Sequence, residues 1–230
     1  MKRVVGLIQA RMGSQRLPGK VLLPLAGVPM VGHIVERLRR VAGLAEVVLA
    51  TTADPRNDTL AEYAASLDVQ VWREAVEDDI AARLCHAAQS VNAEAILKVN
   101  ADSPLVDPAV LKHLLTVFHR EGPDYASNKI VWSYPKGLSA EVITSEALRW
   151  CHKHLAHPHE REYVADWIKS HGERFKVISI ESGRQLGHHE WMVDTPEDYA
   201  MMVDLFDALY RPGECFGMEA VLAHLGEGGT

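Results

Sequence analysis

With 230 residues, 47% hydrophobic and 24% charged, the chain has ordinary globular composition and enough length for a substantial core. A formal net charge of −7 argues against a nucleic-acid partner, and no apolar run approaches the ~18 residues of a membrane span. The cysteines at 85, 151 and 215 lack CxxC spacing, so neither a zinc ribbon nor a disulfide framework is indicated.

The first residues are basic and then apolar, but polar Gln9 and Arg11 end the run too soon for a signal peptide, and a cytoplasmic location is expected. Apolar periodicity predicts strand 4–9, helix 30–41, strand 46–51, helix 58–66, strand 69–72, helix 79–90, strand 95–100 and helix 108–120. Four successive β-α units with continuously apolar strands imply parallel strands buried on both faces. Ligands of such sheets bind beyond the carboxyl ends of the strands, which puts loops 9–20 and 100–104 on one rim. After Pro123 the order changes: irregular strands at 125–131 and 139–144, helices at 145–155 and 159–171, strands at 176–180 and 191–193, and a helix over 196–210. This part reads as an insertion that completes the sheet and builds the second side of a site. One domain over 1–225 and a Gly-rich tail at 226–230 are expected.

Arg11, Arg16 and Lys20 gather in one loop of an acidic chain, which points to a small anionic ligand rather than a polyanion. Gly13 and Gly19 let the backbone pass close to a ligand, Ser14 offers a hydroxyl, and the N–H groups of such a turn form an anion-binding concavity. Neither GxxxxGK(S/T) nor GxGxxG is present, and composition alone fits a solvated basic loop as well. Asp102 stands just after a predicted strand, where a carboxylate either holds a hard cation such as Mg²⁺ or caps a turn. Asp194 precedes Thr195-Pro196-Glu197, a string that by itself suffices to start a helix. His152, His154, His157 and His159 lie close in sequence, as do His188 and His189, but no HExxH or facial-triad spacing marks them as metal ligands.

The string Ala10-Arg11-Met12-Gly13-Ser14-Gln15-Arg16-Leu17-Pro18-Gly19-Lys20 resembles ARxGSxRLPGK, the opening signature of the CTP-dependent sugar-acid cytidylyltransferases. That superfamily holds the CMP-Kdo and CMP-sialic acid synthetases, and the SpsF-like spore-coat polysaccharide branch looks closest. The resemblance implies an α/β, Rossmann-like nucleotide-diphospho-sugar transferase fold: a mostly parallel central sheet, helices on both faces and a C-terminal insertion. It further implies transfer of CMP from CTP to a hydroxyl of a sugar acid with release of pyrophosphate, dependent on Mg²⁺, in surface polysaccharide or glycoconjugate biosynthesis. A homodimer is also expected.

By the same resemblance, Ala10, Arg11, Gly13, Ser14, Arg16, Lys20, Arg83 and Asn100 would contact the nucleotide. Arg11, Lys20 and Asp102 would act in catalysis, and Asp102 with Asp194 would hold the metal. Residues 98–105 resemble a GD-x-PL stretch with Ala101 in place of Gly, and 191–198 resemble VDTPED. Residues 77–83 resemble a segment ending in Asp-Arg in which Ala82 replaces the Asp; Arg83 fits a surface helix position equally well. Residues 134–142 resemble YPxGLDxEV, with Ser139 for the acidic residue, and 159–164 resemble REHVT. Tyr134, Lys136, Glu141, Arg161 and His189 are the candidates for acceptor contacts. Two rival readings remain at this level: a nucleotidylyltransferase using another triphosphate or a sugar 1-phosphate, and a non-catalytic nucleotide-binding domain of the same fold.

Overall fold

The computed structural model describes residues 1–227. In chain order its first half comprises β1 (Val4–Gln9), a small hairpin of β2 (Pro24–Leu25) and β3 (Val28–Pro29), α1 (Met30–Arg39), β4 (Leu44–Thr52), α2 (Asp58–Ser66), β5 (Gln70–Glu74), α3 (Ile80–Ser90), β6 (Ala95–Asn100) and α4 (Pro108–Glu121). The second half adds β7 (Tyr125–Ser127), β8 (Glu141–Thr144), α5 (Ser145–His154), α6 (Pro158–Glu162), α7 (Val164–Ser170), β9 (Val177–Ser179), α8 (Pro196–Leu209) and α9 (Met218–His224). Seven strands form one sheet in the order β5-β4-β1-β6-β8-β7-β9. The pairs among β5, β4, β1 and β6 are parallel; β8 runs antiparallel to both β6 and β7.

Alternation along β1 divides the core. Val4 and Ile8 pack with α1, α2 and α4 on one face, while Val5 and Leu7 pack with α3, α5 and α7 on the other. A third cluster joins the hairpin to α8 and α9 through Leu25, Phe206 and Leu222. Among the described residues no helix is long and apolar enough to cross a membrane.

The first half follows the predicted elements to within about two residues at each boundary. The second half departs from them in three places, each with a local cause, and adds a helix, α9, where none was predicted. The strand predicted over 125–131 stops at Ser127, because the Asn128 amide takes over the backbone: Nδ2 donates to Leu138 O at 2.9 Å and Oδ1 accepts from Ala140 N at 2.8 Å. The helix predicted over 159–171 is two helices, α6 and α7, since Tyr163 leaves the helical region at φ −103°, ψ 39°. Residues 191–193 form no strand. Glu190 makes one bridge to Lys136, and Val193 N–H donates to Asp102 O at 2.8 Å, so the segment crosses the end of the sheet. Of the tail expected at 226–230, residues 228–230 lie outside the described residues. Gly226, at φ +80°, and Glu227 close α9 in a Schellman turn, with Glu227 N–H donating to Leu222 O at 2.8 Å.

A charged cluster holds the antiparallel strands together. Glu141, 2% exposed, sits opposite Lys98 in the β6-β8 register and accepts from Lys98 Nζ at 2.8 Å and Tyr125 Oη at 2.7 Å; Lys129 Nζ lies 2.8 Å away. Burial pushes the Glu141 carboxyl up, but the charges of Lys98 and Lys129 outweigh it and hold the group well below the usual carboxylate range. Glu141→Gln leaves two largely buried ammonium groups without a counter-charge, and is expected to cost about 3–5 kcal/mol in urea unfolding at neutral pH. Because the folded-state value is depressed, this stabilisation is present above the unfolded-state value of about 4.3 and fades as pH falls below it. The gap between wild type and variant therefore narrows in acid; a gap that widens below pH 4 contradicts this account.

Candidate active site

The loop after β1 is fastened at several points before it reaches the sheet's edge. Met12 N–H donates to Asn57 Oδ1 at 2.8 Å, and Met12 O accepts from Ser14 N–H and Gly19 N–H at 3.0 and 3.1 Å. Gly19 adopts φ +71°, a left-handed turn that favours glycine, and from there a single 3₁₀ turn over Lys20–Leu22 drives the Lys20 side chain inward. Lys20 is 7% exposed. Its ammonium donates to Val193 O at 2.6 Å and Asp194 Oδ1 at 2.7 Å, and stands 3.8 Å from Asp102 Oδ2. Two carboxylates from distant parts of the chain thus bracket one buried cation.

Asp194 is free for this contact because Thr195 and Asp198 start α8 themselves. Asp198 N–H donates to the Thr195 hydroxyl at 3.2 Å, and Thr195 N–H donates to Asp198 Oδ2 at 2.8 Å, a capping box. Burial pushes the Asp194 carboxyl up, but its hydrogen bond from Lys20 and the charges of Lys20 and Arg16 prevail and hold it below its ordinary range. Arg16 Nη2 lies 2.8 Å from Asp194 Oδ2, and Arg11 Nη1 donates to Glu77 Oε1 at 2.7 Å. Ser103 Oγ donates to Asp102 Oδ1 at 2.9 Å.

These groups line a cleft of about 910 Å³ beyond the carboxyl ends of β1, β4 and β6. All eight residues expected to contact a nucleotide line it: Ala10, Arg11, Gly13, Ser14, Arg16, Lys20, Arg83 and Asn100. Asp102 and Asp194 line it too. Arg83 is 1% exposed, so its surface-helix reading fails; its guanidinium donates to Glu77 O, and burial followed by the charge of Arg11 lowers its pKa.

The five acceptor candidates are not among the lining residues. Tyr134 is buried, Lys136 pairs with Glu190, and Glu141 belongs to the buried cluster behind the sheet edge. Arg161 is committed to Asp79, donating from Nε at 3.0 Å and Nη2 at 2.6 Å, which ties α6 to the start of α3. His189 is 9% exposed, with Nε2 3.0 Å from Glu227 Oε2.

Other lining residues were not singled out from sequence: Gln9, Arg56, Glu162 and Tyr163. Arg56 was within reach, because its loop follows β4 and every such loop of a parallel sheet opens on the same rim. Gln9 was also within reach, as the last strand residue on the face of Val5 and Leu7. Glu162 and Tyr163 carry no such signal: the break between α6 and α7 that turns them to the cleft is a tertiary effect.

A profile of the Cytidylyltransferase family matches residues 5–191. The chain is 28% identical over 213 residues to the spore coat polysaccharide biosynthesis protein SpsF of Bacillus subtilis, covering 90% of this chain and 87% of that one. It is 34% identical over 117 residues to a 3-deoxy-manno-octulosonate cytidylyltransferase of Anaeromyxobacter, a match spanning 50% of this chain and 46% of that protein. Its fold superposes on a cytidylyltransferase from Leptospira borgpetersenii with a TM-score of 0.92 at 27% identity, over 99% of this chain and 95% of the other. The cleft at the sheet's carboxyl edge therefore sits in a chain that belongs to the cytidylyltransferase family, a nucleotidyltransferase.

Proposed function

We propose that this enzyme transfers CMP from CTP and Mg²⁺ to a hydroxyl of a sugar acid, releasing pyrophosphate, as a cytoplasmic step in surface polysaccharide biosynthesis. The single observation that carries the reading is the Lys20 ammonium, buried at the base of the cleft between Asp194 and Asp102, with Arg11 and Arg16 above it. The names of the relatives, one for spore-coat polysaccharide and one for an octulosonate acceptor, support the substrate class.

In this reaction the acceptor hydroxyl oxygen attacks the α-phosphorus and gives up its proton to water, while the bond from that phosphorus to the oxygen bridging the β-phosphate breaks and its electron pair leaves with pyrophosphate. Such displacement depends on positioning and electrostatic stabilisation more than on covalent catalysis by the protein. Lys20, Arg11 and Arg16 would orient the triphosphate and offset the charge that builds on the leaving group. The donor set suits a hard cation: Asp102 and Asp194 supply carboxylate oxygens, and no Cys or His lines the cleft. Mg²⁺ held there would supply further neutralisation of phosphate charge.

Incubating the enzyme with CTP, Mg²⁺ and a panel of 2-keto sugar acids is expected to release pyrophosphate with at least one acid, matched mole for mole by a CMP-sugar. Release at an equal rate with no acid present would indicate hydrolysis rather than transfer and contradict the proposal. No release with any acid would remove the sugar-acid acceptor.

A further inference from the structure

Outside the cleft, His188, His189 and Glu227 bring together three groups that can hold a metal ion, with one ligand atom from each within 4.8 Å of the others. Among the described residues no other three His, Cys, Asp or Glu side chains converge so closely. His189 is 9% exposed, and its Nε2 is buried with no hydrogen-bond partner among the described residues. Such an orphaned nitrogen costs stability unless something supplies its partner. Glu227 Oε2 lies 3.0 Å from it, but not in line for a hydrogen bond. A nitrogen and an oxygen so close, yet not bonded to each other, are placed to share a third atom.

The second histidine is oriented for the same task. His188 Nδ1 lies 3.1 Å from Gln185 O; a carbonyl only accepts, so Nδ1 carries the proton and Nε2 presents a lone pair. Metal-ligating histidines commonly have this support, the far ring nitrogen donating to a backbone carbonyl. His188 Nε2 is 3.8 Å from Glu227 Oε2. Ligands about 2.0–2.1 Å from a tetrahedral ion stand about 3.3 Å apart, between the 3.0 and 3.8 Å found here. The loop that carries both rings is fixed in place: His189 N–H donates to Leu186 O at 3.1 Å, Leu186 N–H donates to Ser133 O at 3.0 Å, and a Cβ on Gly187 would collide with Trp132 O. From this geometry we propose that His188, His189 and Glu227 bind a divalent transition-metal ion such as Zn²⁺, which two imidazoles and a carboxylate suit better than they suit Mg²⁺ or Ca²⁺. The ion enters from solvent past the exposed His188 and Glu227, and water fills its fourth position. It clips the turn that ends α9 to residues 185–189, at a site separate from the Asp102–Asp194 pair.

Zn²⁺ affinity is measured by competition with a chromogenic chelator for wild type, His188→Ala and Glu227→Gln, in excess Mg²⁺ so that the carboxylates of the cleft are filled. Both substituted residues are exposed, so the variants are expected to fold, with circular dichroism as the check. Wild type is expected to bind one equivalent of Zn²⁺ that either substitution weakens by roughly 100-fold, the upper end of the scale for losing a partner that merely orients a ligand. Co²⁺ in its place is expected to show the intense visible absorption of a four-coordinate ion in wild type and not in the variants. Zn²⁺ is also expected to raise the wild-type Tm, because it binds only the folded chain. Absence of Zn²⁺ binding by wild type overturns the site, as does binding that either variant keeps at wild-type strength. So does a Tm that Zn²⁺ leaves unmoved while Glu227→Gln lowers it in the presence of chelator, since the contact is then an ion pair alone. None of these readouts involves CTP, so they leave the proposed function to its own test.

Discussion

Lys20→Ala is expected to lower turnover with CTP by roughly 10²–10³-fold while the circular dichroism spectrum stays native, the scale for losing an electrostatic contact that strengthens in the transition state. Lys20 is the one cation of the loop that is buried: its side chain is 9% exposed, against 51% for Arg11 and 65% for Arg16. Charge buried away from water acts across a lower dielectric, so the same separation from a phosphate yields a larger energy there than at the rim. The variant also leaves Asp102 and Asp194 facing the cleft without their shared counter-charge, which opposes entry of a triphosphate. Both effects act in the same direction. Arg11→Ala is expected to fall in the same range, since its guanidinium is held over the cleft by Glu77. Pyrophosphate release near the wild-type rate by both purified Lys20→Ala and Arg11→Ala would show that these two cations take no part in the chemistry.

Asp102→Asn and Asp194→Asn are each expected to reduce turnover by roughly 10²–10³-fold, and the double variant by about the same factor, because groups that serve one ion act as a unit. The geometry behind this is the pairing of the two carboxylates about one ammonium and the hydrogen bond from Val193 N–H to Asp102 O, which fixes the two segments side by side. The depressed pKa of Asp194 keeps it ionised, and thus able to bind a cation, down into the acid range. Titrating Mg²⁺ in the single variants should give a raised half-saturation concentration. Losses that multiply in the double variant would assign the two carboxylates to separate tasks.

How much of this was legible in the sequence differs between the two halves of the chain. Strands such as Val4–Gln9 and Ala95–Asn100 are continuous apolar runs bounded by polar residues, and helix Asp58–Ser66 is periodic, so their limits were predicted to the residue. The turn in the loop after β1 was legible because local chemistry defines it: the glycine at position 19 takes the left-handed turn, and the cations follow a strand end. In the second half, side chains rather than periodicity set the boundaries. Asn128 ends β7 by bonding across the 128–140 loop, and Tyr163 breaks what reads as one helix. The same long-range bonding explains the acceptor candidates. Arg161 and Glu141 stand in recognisable strings, yet Asp79 and Lys98, their partners, are 82 and 43 residues away in the chain. Only the fold could show that both are engaged in ion pairs.

The most direct test of the central claim, that the cleft is built for CTP, is thermal unfolding with Mg²⁺ and each of CTP, UTP, ATP and GTP at one concentration. Ligand that binds only the folded chain stabilises it by about 2.7 kcal/mol at a hundred times its dissociation constant, which for a domain of this size raises Tm by roughly 5–10 °C. CTP is expected to produce that shift and the other three a clearly smaller one. Equal shifts with all four triphosphates, or none with any, would contradict the account.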